Sequence, residues 1–561
     1  MLKFDTQKYF DYQEITEFLK AAVKEYPELI QFESIGLSYE KRKIWLVSLT
    51  NQNTGAAENK PSLWIDANTH ASEVAGAQSA LYFIFKTLTE YKKKEDLKFL
   101  LDHMNFYILP QVSPDGAEFY LKNKYEIRSS PKIWDDPATH ENMVQEDIDK
   151  NGEVLLMRKE DPAGGFKVSK QNDQLLVQRQ AFDLPSKSEK YYSLYKEGLF
   201  KNFNGFNETQ QAVFGLDLNR QFPAHFRPEG EQKGASSHPM SSPEIRSFVD
   251  AFVARPRIFG HIALHTYGGL ILRPPAVAPE DKFDLGDLNI SKTICDEASR
   301  VSGYAALSTS NDFKYYSRES ESGTADDWSF EHRGVFSFTI EIWDAWKAAG
   351  IEVKDHVSRY FKPAEADLVN IYKWAKANFK LKDFYAPWKE FDHPQIGKVE
   401  IGGWKTATLI RNPPPELLKD EMQKVNEIIL QFAKILPLVQ IKKTEIIKLD
   451  AKTTKIVIVI ENQGFLPTNG SEQAIKMAAI KKPKVHFKTS SKLTLISGRH
   501  HHEIKHLQGR NRYIPIHTPV AVYGSKNTHE CQFEWLVQGS GYVDITFDFQ
   551  RGGVLKTKID V

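Results

Sequence analysis

Three apolar runs constrain this chain more than any other feature, because each reads as a buried strand and each ends at an ionisable side chain. Leu63-Trp64-Ile65 precede His70 and Glu73, the run from Ile258 to Leu264 leads into His265, and the run from Val335 to Ile340 leads into Glu341. Short continuous runs of branched and aromatic residues are the pattern of strands covered on both faces. Helical patterns lie between them. Apolar residues recur at helical spacing through residues 13 to 26, where Pro27 stops them, and a second such pattern begins at Ser79. Strands alternating with helices give an open α/β sheet, mixed but mainly parallel and flanked by helices. In such sheets ligands bind beyond the carboxyl ends of the strands, so the three ionisable endings are expected to meet at one edge.

His70 and Glu73 fall in the turn after the first strand, three residues apart. An imidazole and a carboxylate so placed can face one cation and leave room for a third ligand. With His265 they make a two-histidine, one-carboxylate set with an open fourth position, the arrangement of catalytic zinc.

A chain of 561 residues is too long for one core and is expected to form two or three domains. Residues 129–214 interrupt the α/β rhythm with a charged, aromatic-rich insert of weak periodicity. Within it, Asp147, Asp149 and Asn151 alternate as in a calcium loop, although Arg158 stands where an EF-hand carries its closing acid. After Pro437 only strand-like runs follow, among them 455–460, 485–487, 493–496, 520–523, 531–537 and 542–549. The expected division is a catalytic domain over 1–437 and an all-β, immunoglobulin-like sandwich over 438–561. The run His500-His501-His502 in that module is expected to be a solvated loop.

Lys and Arg total 74 against 73 for Asp and Glu, which favours neither nucleic acid nor an anionic membrane as partner. The 2 cysteines rule out a disulfide framework and a thiolate-held metal. No window is apolar enough for a signal peptide or a membrane span. The chain as numbered therefore reads as cytoplasmic; a leader removed before residue 1 would make it secreted or periplasmic.

Around the three strand endings the sequence resembles the zinc metallocarboxypeptidases of the carboxypeptidase A and B kind. The resemblance covers roughly residues 5 to 435. It is carried by HASE at 70–73, SPDG at 113–116, LDLNRQF at 216–222, ALHTYGG at 263–269 and GTADDWSFEHRGVFSFTIEIWD at 323–344. The long segment before LDLNRQF is closer to a microbial branch. The resemblance implies one zinc ion on His70, Glu73 and His265, with Glu341 as general base. It implies that Asn219 and Arg220 grip the free C-terminal carboxylate of a peptide substrate, and that Arg128 stabilises the developing oxyanion.

Three departures stand out. Ser72 replaces an arginine that often lines the family's substrate path. The substrate-capping tyrosine is expected before GTADDW, where counting back from Trp328 lands on Glu319; Tyr316 is the nearest match. The position that sets side-chain preference is Asp326, an acid that resembles the B-type pattern and implies a taste for Lys or Arg at the substrate's end. Two other readings use the same residues. One is a zinc amidase, deacylase or γ-glutamyl-type hydrolase of small acyl-amino acids, which has less need of Asn219 and Arg220. The other is an inactive binding protein whose β module does the work.

Overall fold

Strand Ile258–Thr266 is buried along its whole length and lies inside an eight-stranded sheet of the computed structural model. The structure describes residues 1–123, 127–132, 143–184, 189–201, 203, 215–314, 321–511 and 528–561. Across the sheet the strands run Ile30–Leu37, Lys43–Leu49, Asn105–Leu109, Ser62–Ala67, Ile258–Thr266, Phe336–Ile342, Leu270–Arg273 and Ala305–Ser308. The central four are mutually parallel. The expected mixed, mainly parallel sheet is thus present, with antiparallel pairs toward its margins.

Side-chain alternation explains why these strands read as continuous apolar runs. Leu63, Ile65 and Ala67 point into one core with Ile262, Leu264, Phe338 and Ile340, beneath helices Val74–Glu90, Leu285–Ser302 and Pro415–Ala433. Trp64 points to the opposite core with Phe248, Phe252 and Trp328, from helices Pro243–Val253 and Ala325–Glu331. Both faces are dry, so both parities are apolar. Among the polar residues of these strands, Asp66 is satisfied by His261, whose Nε2 lies 2.6 Å from Asp66 Oδ2 and whose Nδ1 lies 2.8 Å from Ser329 Oγ.

The helix after His70 starts at Val74, five residues before the apolar pattern that marks it in the sequence. Its first turns are Val-Ala-Gly-Ala-Gln, small residues that carry little periodicity. They are small for a reason: a Cβ on Gly76 would meet the Leu264 carbonyl oxygen at 2.8 Å, so the helix lies directly against the central strand.

The 129–214 insert has elements that its composition hides. Strands Leu156–Glu160, Tyr191–Lys196, Phe166–Val168 and Leu176–Gln178 join the hairpin Tyr385–His393 and Gly397–Trp404 in a six-stranded antiparallel sheet. Arg158 fastens the two segments. It donates from Nε to Glu400 Oε2 at 2.8 Å and lies 4.7 and 4.6 Å from the ring centres of Tyr192 and Trp388. Strands of 3 to 6 residues paired with partners so distant in sequence have no local signature.

Beyond Pro437 the described residues form two four-stranded antiparallel sheets around one apolar core, which takes Ile456, Ile458, Phe533 and Trp535 from one sheet and Phe487, Ile545 and Phe547 from the other. The expected run at 520–523 lies outside the described residues. His501–Glu503 is a strand rather than a loop, paired with Lys484–Thr489, and His486 Nδ1 lies 2.7 Å from His501 Nδ1. Among the described residues no helix is long and apolar enough to cross a membrane.

Candidate metal centre

The register of the sheet builds the centre. Leu264 pairs with Ala67 and His265 pairs with Glu341, so three parallel strands end together and their side chains share one edge. The chain turns sharply after Ala67: Asn68 adopts a left-handed φ of 55°, and its Nδ2 donates to the His70 carbonyl at 2.6 Å. Glu73 occupies the N-cap of the following helix, yet its carboxylate caps no helical N–H. It faces the histidines instead. Glu73 Oε1 lies 2.9 Å from His70 Nδ1, Oε2 lies 2.8 Å from His265 Nδ1, and the two Nδ1 atoms are 3.2 Å apart.

All three side chains are almost wholly buried. Two imidazole nitrogens and a carboxylate, with ligand atoms within 4.8 Å of one another, suit a divalent cation by the chemistry of the donor set. The hydrogen bonds around these side chains agree. His70 Nε2 lies 3.3 Å from Asp217 Oδ1, so a proton on Nε2 leaves the Nδ1 lone pair turned toward Glu73 and His265. Thr266 N–H donates to Glu73 Oε2 at 3.2 Å and fixes that carboxylate in place.

Electrostatics follow from this crowding. Burial works against ionisation of Glu73, but His70 and His265 overcome it and hold the carboxyl well below its ordinary range. Burial likewise opposes protonation of His265, yet the Glu73 carboxylate holds its imidazole at about 9. A cation and that proton compete for the same nitrogen. Burial, followed by the charge of Glu73, pushes Glu341 up to about 8. Asp217 is held well below its usual range, against the effect of burial, by Arg128 and Arg220.

The other predicted residues line the same cavity of about 170 Å³, which holds Arg128, Asn219, Arg220, Asp326 and Glu341 beside the His-Glu-His group. Arg128 donates from Nε to Asp217 Oδ2 at 2.7 Å, and its Nη1 lies 4.0 Å from Glu73 Oε1. Asn219 Oδ1 accepts from Ala325 N at 2.9 Å, which directs the amide N–H groups away from that contact. Arg220 donates to the Asn219 carbonyl at 2.9 Å and pairs with Glu321. Asp326 is buried and accepts from Thr339 Oγ1 at 3.0 Å and from Asp327 N at 3.0 Å. Tyr316 lies outside the described residues.

The structure adds residues that the sequence reading did not single out. Asp217 stood inside the quoted LDLNRQF motif, where an acid beside the Asn-Arg pair was the available signal. Arg411 and Tyr267 also line the cavity, and Arg411 had no local signal at all.

The calcium expectation is not supported. Asn151 uses its amide to donate to Asp149 Oδ2 at 3.0 Å and its oxygen to accept from Glu153 N at 2.8 Å, so both of its polar groups are engaged within the turn. Asp147 Oδ1 and Oδ2 accept from the N–H groups of Asn151 and Gly152 at 3.0 and 2.7 Å. Asp147 and Asp149 lie near Glu197, an acidic grouping of a kind common without an ion. The segment is a polar turn closed by its own side chains.

Residues 15–153 and 187–373, more than half of the chain, match the family model for zinc carboxypeptidases (Peptidase_M14), and residues 438–560 match a domain of unknown function. The chain is 23% identical to carboxypeptidase B2 of Bos taurus over 356 residues, covering 61% of this chain and 64% of that protein. It is 23% identical to carboxypeptidase A1 of Mus musculus over 347 residues, with the same coverage of 61% and 64%. The match thus spans somewhat less than two thirds of the length of these relatives. A shorter stretch of 115 residues is 35% identical to carboxypeptidase B of Astacus astacus, covering 20% of this chain and 36% of that protein. Among solved structures, thrombin activatable fibrinolysis inhibitor aligns at 17% identity with a TM-score of 0.44, covering 76% of this chain and 74% of that one. By the family match, which includes the His70 turn and strand endings His265 and Glu341, this chain belongs to the zinc carboxypeptidase family.

Proposed function

We propose that the chain is a zinc-dependent carboxypeptidase that hydrolyses the C-terminal peptide bond of peptides, with one zinc ion per chain on His70, Glu73 and His265. The observation that carries this reading is a single cavity lined by that donor set, by Glu341 and by Asn219 and Arg220. A zinc ion so held supplies Lewis-acid polarisation of the scissile carbonyl and acidifies water. Glu341, beside His265 on the adjacent strand, takes a proton from the attacking water and delivers it to the leaving amine. The guanidinium of Arg128, anchored through Nε on Asp217, stabilises the oxyanion that develops. Arg220 and the amide of Asn219 take the substrate's free carboxylate, which explains a guanidinium rather than an ammonium at this place. That grip favours a carboxypeptidase over an amidase of small acyl-amino acids.

Asp326 supports a preference for a basic terminal residue. It is a buried acid on the cavity wall with no cationic partner among the described residues, and a substrate Lys or Arg would supply one. In domain terms, residues 1–437 form the catalytic part, with the 129–214 insert, and residues 438–561 form a separate β module of immunoglobulin-like character.

Peptides that differ only in their last residue, each paired with its C-terminal amide, test this function. Turnover is expected for the free acids, fastest with Lys or Arg last, and to fall by at least ~100-fold for the amides. Glu341→Gln is expected to retain one zinc per chain and lose at least ~100-fold in kcat. Equal turnover of acid and amide would remove the carboxypeptidase assignment.

A further inference from the structure

A third guanidinium enters the cavity from beyond the family match, which ends at residue 373. Arg411 lies between the hairpin strand Gly397–Trp404 and the helix Pro415–Ala433. Its neighbour fixes it there. Buried Asn412 donates from Nδ2 to the Ser72 carbonyl at 2.7 Å and accepts from Ala75 N–H at 3.1 Å, so the segment is fastened to the chain on both sides of Glu73. Arg411 Nη1 consequently lies 3.9 Å from Glu73 Oε1, and its guanidinium lies 5.2 Å from the ring centre of Tyr267. Position 72, immediately before Glu73, carries only a serine side chain. Arg411 brings a cation beside that position from far along the chain.

The three guanidiniums of the cavity share anchors in part. Arg128 and Arg220 both reach Asp217, with Arg220 also on Glu321; Arg128 and Arg411 approach Glu73 Oε1 at 4.0 and 3.9 Å, and Arg411 lies over Tyr267, two residues beyond His265. If Arg220 holds the terminal carboxylate, the leaving residue occupies the Asp217 side. The Tyr267 side is then left to the other half of the substrate. A guanidinium there, 24% exposed at its side chain and lying against an aromatic face, presents fixed donors suited to an oxygen acceptor.

We propose that Arg411 is a substrate-binding residue that takes a carbonyl or carboxylate oxygen from the residues preceding the scissile bond. This inference rests on the carboxypeptidase reading, because that reading assigns the two sides of the cavity. It predicts that the enzyme distinguishes substrates by the acceptors on their acyl half.

The test uses the zinc-loaded full chain and three peptides with the same last residue: an unacylated dipeptide, its N-acetyl form, and an N-acetyl form with Glu before the scissile bond. Arg411→Gln is expected to raise KM by roughly 10-fold or more for the two acetylated peptides, most for the Glu form, with kcat within about 2-fold. The unacylated dipeptide, which lacks both added acceptors, is expected to change least of the three, and Arg411→Lys to recover part of the Glu preference but less of the carbonyl contact. Zinc content and thermal midpoint of each variant report whether the fold is kept. An equal change on all three peptides, or a loss confined to kcat, overturns the assignment. Should the unsubstituted enzyme cleave no peptide, the carboxypeptidase reading fails. Calorimetric binding of an uncleavable N-acetyl peptide then decides Arg411 separately: a Kd unmoved by Arg411→Gln, or no binding to the unsubstituted protein, overturns it.

Discussion

At the scale of single residues, the centre is a set of competing charges whose donor atoms a divalent cation would satisfy together. Glu73 is ionised although buried, because His70 and His265 face it, and His265 binds a proton more tightly than usual because Glu73 faces back. Asp217 orients this set from behind: it accepts from His70 on one oxygen and from Arg128 on the other. Asp217→Asn removes the charge that holds His70 in the tautomer with Nδ1 available. Zinc affinity, measured by competition with a chromophoric chelator, is expected to fall between about 10-fold and 100-fold. An unchanged affinity would show that Asp217 serves Arg128 alone. At this scale His70, Glu73, His265 and Glu341 were legible in the sequence as candidates, because each stands at or shortly after the end of an apolar run. Arg411 was not, since nothing near residue 411 differs from an ordinary exposed loop.

At the scale of elements, position is set by strand register and by a few close backbone approaches. Parallel pairing places His265 next to Glu341 without any direct bond between the two side chains being needed. The Asn219-Arg220 segment is placed differently, against the turn at Gly323. Phe222 N–H donates to the Gly323 carbonyl at 3.0 Å, and Gly323 N–H donates to the Ala224 carbonyl at 3.0 Å. Gly323 has a φ of 70°, and a Cβ there would meet the Arg220 carbonyl oxygen at 2.4 Å. Gly323→Ala is therefore expected to cost about 1–3 kcal/mol of stability and to push Arg220 off its position. In steady-state assays KM is expected to rise by roughly 10-fold while zinc content is unchanged. A variant with native KM would show that the two segments can separate freely. The strands of the main sheet were readable as runs, whereas those of the insert were not, because each is short and pairs with residues far away.

At the scale of the whole molecule, the C-terminal sheets are tied to the part of the chain that carries the eight-stranded sheet by buried polar contacts. Arg551 donates to the Gly334 carbonyl at 2.6 Å and the Asn469 carbonyl at 2.9 Å, and burial lowers its pKa to about 9. Asp287, on the helix Leu285–Ser302, accepts from the N–H groups of Glu472 and Gln473 at 3.0 and 2.9 Å. Burial pushes Asp287 up to about 6, above its ordinary value of 3.8. A group raised in the folded state binds its proton more tightly there, so its contribution to stability is greatest below the unfolded value and is lost as pH rises through about 6. Between about pH 4 and about pH 7 the unsubstituted protein is expected to lose on the order of 2 kcal/mol relative to Asp287→Asn. Denaturant titrations of both proteins at the two pH values measure this. A difference that stays constant with pH would show that Asp287 ionises normally at the junction.

Sequence alone determined which segments must be buried and which chemistry stands at their ends, because both follow from local patterns: continuous apolar runs need cover on both faces, and a metal needs nitrogen and oxygen donors that a short turn can present. Helix starts built from small residues, the pairing of the 129–214 insert with the hairpin at 385–404, and the arrival of Arg411 beside Glu73 depended on the tertiary structure. They are contacts between segments remote in the chain, and their energy comes from backbone pairing and charge proximity that no single stretch of sequence contains.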